Sequence, residues 1–556
     1  MRSAEEKPAE ATGIQRTSWW RRLLAPAIAG GALACLLGGW AMSTAPGGVP
    51  DDQHHQALIW CGWGQSESCG YDASAGYLVP AEVGAYPCFI RKPATSATCV
   101  YTYPTGLIPA YGLVVYGNEQ MLSGMMVYHR VMRLFVGNDP ERSIVMIRLA
   151  NALLAGLFLG LTLAIVRRRL QVAVAAAWLV CLVPIGTFII PSANPSSWTV
   201  IGIGTFWALF LHWITSPKLT SRSAMAGLVG ALCAAALALL SRSDGAMFLG
   251  VSVVAVALLA APALREYPRR WLIFIAPLPF VAIGVSLRMW VRLQASINAF
   301  VSTTPDTSDP VAGSIANQWV NHALEFPTLI AGIVGYPQSQ SWPTTYYLGL
   351  GYLDVAIPSI TAIVGLASIA AILLWGWQST NVVKGVSAAL VLVLLVVLAY
   401  LPPAFFHFSS GSSLQTRHLL PALMLFVGIS CLAVGATVRR LALVPAAAVT
   451  IGLTIANSAA LLLNLRHYTN GEAVPYFDLS LADQWWWQTT LLSGSDVWIF
   501  GTVAGACYFI ALTLMVVQAR RPHRAPSLGS VPGAGSGHGD QQKDDQLGAV
   551  ASGRVT

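Results

Sequence analysis

The chain has 556 residues, of which 55% are hydrophobic and only 10% charged, and its mean hydropathy is +0.60. No soluble globule of this size has an interior able to bury so apolar a chain, so lipid is the solvent and the expected class is an all-α polytopic membrane protein. The net charge of +8 does not point to nucleic acid, because the basic residues are scattered among short loops and the two ends.

Residues 1–24 form a short basic lead, in which Arg21 and Arg22 stand just before an uncharged run from Ala25 to Thr44. The pair resembles a signal peptide, yet the run is long and more spans follow, so a retained signal anchor is expected. Crossing a hydrocarbon layer of ~30 Å takes about 20 apolar residues. Runs of that kind fall near 25–44, 143–166, 171–190, 197–215, 223–240, 245–262, 271–288, 353–375, 384–401, 418–438, 441–464 and 497–518. These twelve helices would place both termini on one side. Lys and Arg decide which side: 21 lie in the tails and the loops facing them, against 11 in the longer segments opposite. The termini are therefore expected in the cytoplasm, in a multi-pass protein of the cell membrane.

The transmembrane domain is expected over 25–518, with outside segments at 45–142, 289–352 and 465–496. The first of these opens with "GGVPDDQHHQALIW", which gathers Asp51, Asp52, His54 and His55 into five positions. It also holds Cys61, Cys69, Cys88 and Cys99, whereas the other five cysteines lie within apolar spans. Four cysteines in one extracytoplasmic segment predict two disulfides, with the pairing open. Zinc is the competitor, but no CxxC spacing is present. Between Met121 and Phe135, apolar residues at helical spacing are broken by His129, Arg130 and Arg133, which predicts an amphipathic helix on the outer membrane face. At the other end, residues 519–556 are rich in Gly, Ser and Pro and are expected to form a disordered cytoplasmic tail.

The middles of the spans are almost free of ionisable residues, which argues against a proton- or ion-coupled transporter. Polar clusters sit instead at the expected outer helix ends. After Asp51 to His55 come Arg148 in "RLAN", Asn194 in "PSANPSS", Arg242 and Asp244 in "SRSDG", Asp354 in "GYLD", and Arg417 and His418 in "QTRHLLP". Six parts of the chain thus meet in one layer, and a site there is the economical reading. Each piece has a plainer alternative. The acid pair reads as hydrated carboxylates at headgroup level, the arginines as snorkelling side chains, and "ANPSS" as a turn and helix cap. "WWW" at 485–487 fits an interfacial belt, and His54, His55 and His418 leave a divalent metal as an open but weak option.

Taken in order, these motifs resemble a family of bacterial membrane proteins catalogued as domain of unknown function 2142. "PDDQHHQALI" is similar to that family's P-D-E-x-x-H element, "ANPSS" to its Asn-Pro element, "GYLDVAIP" to its Gly-Trp-Leu-Asp element and "QTRHLLPAL" to its Gln-Gly-Arg-Tyr-Leu-Leu-Pro element. The resemblance covers roughly residues 25 to 440, with Asp52 for Glu, Tyr352 for Trp, Thr416 for Gly and His418 for Tyr. The family in turn resembles the GT-C glycosyltransferases, which take sugars from polyprenyl-phosphate carriers and use an acid in the first outer loop. The likeness implies a GT-C-like fold with Asp51 as the catalytic carboxylate and Asp52 as a supporting acid.

The chemistry is consistent with that implication. Nucleotide sugars are not available outside the membrane, so a donor there must arrive on a lipid. Transfer needs a carboxylate to accept or orient the acceptor proton, and cations to hold the departing phosphate. The expectation is an inverting glycosyltransferase with catalytic Asp51 and Asp52. His54, His55, Arg148, Asn194, Arg242, Asp244, Asp354, Arg417 and His418 would bind the polyprenyl-phosphate-linked sugar and an envelope glycan, lipid or protein acceptor. Two other classes compete: a flippase of lipid-linked saccharides, which needs a polar path through the spans, and a non-catalytic assembly protein, which would tolerate loss of the acids.

Overall fold

Backbone amides facing lipid have no water to bond, so apolar stretches settle as helices that satisfy their own hydrogen bonds. A computed structural model of the chain describes residues 19–111 (except 73, 91 and 93), 125–275 (except 243), 359–405, 416–434, 441–469 and 492–517, together with residues 350, 355, 357, 479 and 485–487. Among these, eight helices are long and apolar enough to cross a membrane. They are α1 (Trp19–Met42), α5 (Pro140–Ile165), α8 (Ser196–Ile214), α9 (Arg222–Ser241), α10 (Gly245–Glu266), α12 (Ser359–Trp377), α15 (Leu443–Thr469) and α16 (Gly494–Val517).

The other four expected spans are divided, short or only partly described. Residues 171–190 divide into α6 (Arg168–Val180) and α7 (Ile185–Ile189), with Pro184, which has no N–H to continue a helix, between them. Helix α13 (Val382–Phe405) runs the length of the expected span 384–401, with Val382–Val397 described as apolar, whereas α14 (Leu420–Ser430) covers only 11 residues of 418–438. Of the run 271–288, only Trp271 and α11 (Leu272–Ile275) lie within the described residues. The expected loop 289–352, apart from Leu350, and the tail 519–556 lie outside them, as does residue 354.

Helix α8 is the hub. Nine-tenths of it (89%) is buried, against 28% of α9, because α5, α6, α9, α10 and α14 all pack on it. Helices α1 and α5 approach backbone to backbone: a Cβ on Gly30 would come within 2.4 Å of the Gly156 carbonyl oxygen, and one on Gly156 within 2.4 Å of that of Gly30. Asp139 and Pro140 start α5, the Asp139 carboxylate accepting from the Arg142 N–H at 3.2 Å. Helix ends that would strand carbonyls are closed by cations. Arg270 donates to the carbonyls of Ile214 and Ser216 past α8, and Lys384 to those of Gly376 and Ser379 past α12.

The segment between α1 and α5 adds a small sheet to this mostly helical fold, which the expectation of helices alone did not include. After α2 (Asp52–Trp60), strands β1 (Gly70–Asp72), β2 (Gly76–Pro80) and β3 (Leu107–Pro109) form an antiparallel sheet in that order. Leu78 pairs with Gly70 on one side and Pro109 on the other. Disulfides Cys61–Cys69 and Cys88–Cys99 brace the sheet's surroundings, with the short α3 (Ala81–Gly84) between them. Helix α4 (Met125–Met132) falls within the amphipathic stretch, burying Tyr128, His129 and Met132 and exposing Arg130.

Candidate functional site

Residues 43–50, which join α1 to α2, are buried throughout. Loops usually lie at the surface because buried backbone groups must find partners. Here side chains supply them. Trp487 Nε1 donates to the Met42 carbonyl at 2.7 Å, Asn464 Nδ2 to that of Ser43 at 2.8 Å and the Tyr468 hydroxyl to that of Gly48 at 2.9 Å. Arg148, on α5, reaches the carbonyls of Ala41 and Ala45 at 3.2 Å each and that of Thr44. The last carbonyl before the acid pair, Pro50, takes two donors, Asn194 Nδ2 at 3.1 Å and Arg417 Nη1 at 3.0 Å. The "PDD", "ANPSS" and "QTRHLLP" motifs therefore converge on a single peptide group.

This clamp ends at Asp51. With φ at 64°, it is the one described non-glycine residue in the left-handed region, a conformation that costs about 1–3 kcal/mol and persists only where the surroundings enforce it. Its carboxylate is 39% exposed and pairs with Arg417 Nη2, while Arg417 itself is 4% exposed. Asp52 points the other way. It is fully buried, its Oδ2 accepting from Arg148 Nη2 at 2.8 Å and Gln56 Nε2 at 3.0 Å. Burial pushes the Asp52 carboxyl above its ordinary 3.8, against the pull of Arg148. One acid faces out and one anchors the fold.

Around Asp51, burial disfavours the charged form of three imidazoles, His54, His55 and His418. His55 Nδ1 and His129 Nε2 lie 3.2 Å apart, with their rings stacked. Burial holds His55 well below the usual 6.5, and His129, Arg417 and Arg242 add to that effect. Burial lowers His54 as well, opposed by Asp51; His418 is lowered by burial, then by Arg242 and Arg417. Arg242 sits close enough to act on both His55 and His418. It grips Asp244 through two bonds, Nε to Oδ1 at 2.9 Å and Nη2 to Oδ2 at 3.0 Å, and donates from Nη1 to the Ser196 hydroxyl at 2.9 Å. Asn194 accepts from the Ser196 N–H at 2.9 Å, which fixes the turn into α8.

Of the residues expected at the site, Asp51, Asp52, Asn194, Arg148 and Arg417 are joined by direct bonds, and His54, His55, Arg242, Asp244 and His418 stand around them. Asp354 lies outside the described residues. Arg148 spends both terminal nitrogens on carbonyls and Asp52, the arrangement of a positioning residue. Asn151, in "RLAN" but not among the expected site residues, bridges the Tyr128 hydroxyl at 3.1 Å, the Ser192 carbonyl at 2.7 Å and Trp198 Nε1 at 3.1 Å. Its place three residues after Arg148, on the same helix face, is the signal that could have found it. His129 had been visible only as an interruption of an apolar run. Among the described residues, no three His, Cys, Asp or Glu side chains gather as a metal-holding set. A hollow of about 590 Å³, lined by Ser66, Glu67, Glu82, Arg133 and Asn138 among others, opens in the segment between α2 and α5 rather than at Asp51.

The model of a family described as predicted membrane protein (DUF2142) matches residues 35–426, well over half of the chain and all the elements that meet at Pro50 and Asp51 save those after residue 426. No curated protein and no solved structure matches.

Proposed function

The chain belongs to the DUF2142 family of predicted membrane proteins, and from that premise we propose that it is a glycosyltransferase working at the outer membrane surface on a polyprenyl-phosphate-linked sugar. The observation that carries the reading is the strained, half-exposed Asp51 at the tip of an otherwise buried loop. So much side-chain hydrogen bonding spent on aiming one carboxylate is the signature of a positioned base. The acceptor hydroxyl gives its proton to Asp51 while its oxygen bonds to the anomeric carbon from the face opposite the phosphate. The carbon–oxygen bond to phosphate breaks, and its electron pair leaves with the phosphate, which needs no general acid. Arg417 and Arg242 stabilise the charge that develops there. The anomeric configuration inverts.

The two disulfides in the outer segment support an oxidising compartment for that face, with both termini in the cytoplasm. The acceptor is an envelope glycan, lipid or protein. The test is Asp51→Asn in purified protein, assayed by sugar transfer from lipid-linked donors, with the donor chosen by mass analysis of envelope glycans in a deletion strain. Asn keeps the shape and the left-handed backbone but cannot take a proton, so the rate falls about 100-fold or more. Transfer at the parental rate would end the proposal.

A further inference from the structure

Arg417 has one guanidinium and two main calls on it. Nη1 holds the Pro50 carbonyl at 3.0 Å, Nη2 pairs with Asp51, and Nε faces His418 Nε2 at 3.5 Å. At 4% exposure its charge has almost no water to share it, whereas the Asp51 carboxylate is 39% exposed. The arginine is anchored and the carboxylate has room to move. Nearby, Arg242 is likewise closed on Asp244. Among the described residues, both cations beside Asp51 and His418 are thus already matched to an acid, and an anion that takes Nη2 of Arg417 has to open its pair with Asp51.

A phosphate is a strong claimant for such a group. It offers several oxygens to the planar fork and carries more charge than a carboxylate. A carboxylate still paired with Arg417 has an oxygen committed to the guanidinium and is poorly placed to receive the proton of an acceptor hydroxyl.

We propose that Arg417 is the receptor for the phosphate group of the ligand, and that this phosphate displaces the Asp51 carboxylate, freeing the base only once the anion is in place. The role of the freed base rests on the transferase reading; the exchange of partners on Arg417 does not. It makes donor binding precede acceptor activation, so that Asp51 does not act on a hydroxyl before a sugar is present.

The test is a double-mutant cycle on binding, using the full chain in phosphatidylcholine nanodiscs with decaprenyl phosphate as ligand. Neutral decaprenol is the control, and inorganic phosphate forms a separate arm. Asp51→Asn removes the competing charge and tightens decaprenyl phosphate binding about tenfold; on an Arg417→Gln background the same change alters it less than about twofold. If Arg417→Gln does not fold, Arg417→Lys takes its place, and the tenfold effect shrinks because the fork is gone. Equal tightening in both backgrounds means simple repulsion between Asp51 and phosphate, and overturns the proposal. So does no tightening, or decaprenol binding as well as its phosphate. The same coupling seen with inorganic phosphate but not the lipid keeps the receptor and removes the lipid source. Because no turnover is measured, the cycle can succeed even if Asp51→Asn transfers sugar normally and the transferase reading falls.

Discussion

Replacing Asp52 with Asn would leave Arg148 a buried cation without its carboxylate, at a site where both side chains have essentially no exposure. Breaking one side of such a pair costs about 3–5 kcal/mol. Asp51→Asn costs less: Arg417 is buried and also loses its counter-charge, but the Asp51 carboxylate is 39% exposed, Asn tolerates the left-handed backbone and its amide oxygen still accepts from Arg417. Unfolding of the two variants in detergent should separate them, Asp52→Asn losing more stability and Asp51→Asn losing activity at a smaller cost in stability. The adjacency of the two acids was plain in "PDDQHH", but their division of labour was not. Which acid turns inward depends on Arg148, far away on α5, and on a backbone twist at Asp51 that residue types alone do not specify. The imidazoles yield a second expectation. His54, His55 and His418 are all held below 6.5, so the unfolded chain binds more protons as the pH drops below that value, and their contribution to stability, complete above 6.5, is lost on acidification. Asp52, held above 3.8, has the opposite sign. Comparison with His55→Gln isolates the histidine effect: between pH 7.5 and 5.5 the parent's melting temperature should fall more steeply than the variant's.

Helices α1 and α5 carry the two halves of the Arg148–Asp52 connection, α1 by leading into the loop before Asp52 and α5 by bearing Arg148. Their glycine contact thus controls a pairing several turns away. Gly156→Leu has no room against Gly30 and Ala34, and separates the helices; overpacking costs about 1–3 kcal/mol, with loss of the proposed sugar transfer following as Arg148 is drawn away from the loop. Gly250→Leu, where a side chain meets nothing within 4 Å, is the control, and both are read by melting temperature and transfer rate. Elements of this size were largely legible. Eight of the twelve apolar runs are helices long enough to span, since length and apolar continuity are what a span requires. Continuity misled at 171–190, where hydropathy passes smoothly over Pro184 while the hydrogen-bond ladder does not. The sheet escaped notice for a different reason: strands of three and five residues, such as "GYD" and "GYLVP", are too short to display a period. Two disulfides were foreseeable from compartment and count, but their pairing, nearest neighbours in each case, needed coordinates.

Across the whole molecule the site is a meeting of segments that the chain keeps far apart. Motif order exposed the participants, while the clamp on residues 41–50 stayed hidden because hydrogen bonds to main-chain carbonyls leave little mark on the receiving residues. That clamp has a consequence for biosynthesis. Asp51 leaves the ribosome well ahead of its partner Arg417, which comes 366 positions later, and Trp487, which secures Met42, comes 445 positions after the residue it holds. Asn464 and Tyr468 also arrive late. While the chain is still growing, the bend before Asp51 lacks most of its struts, and the strained backbone has nothing to enforce it. The earliest part of the site is thus the last to acquire its working shape, and a nascent chain lodged in the membrane stays inert until the segments bearing Arg417, Asn464, Tyr468 and Trp487 are in.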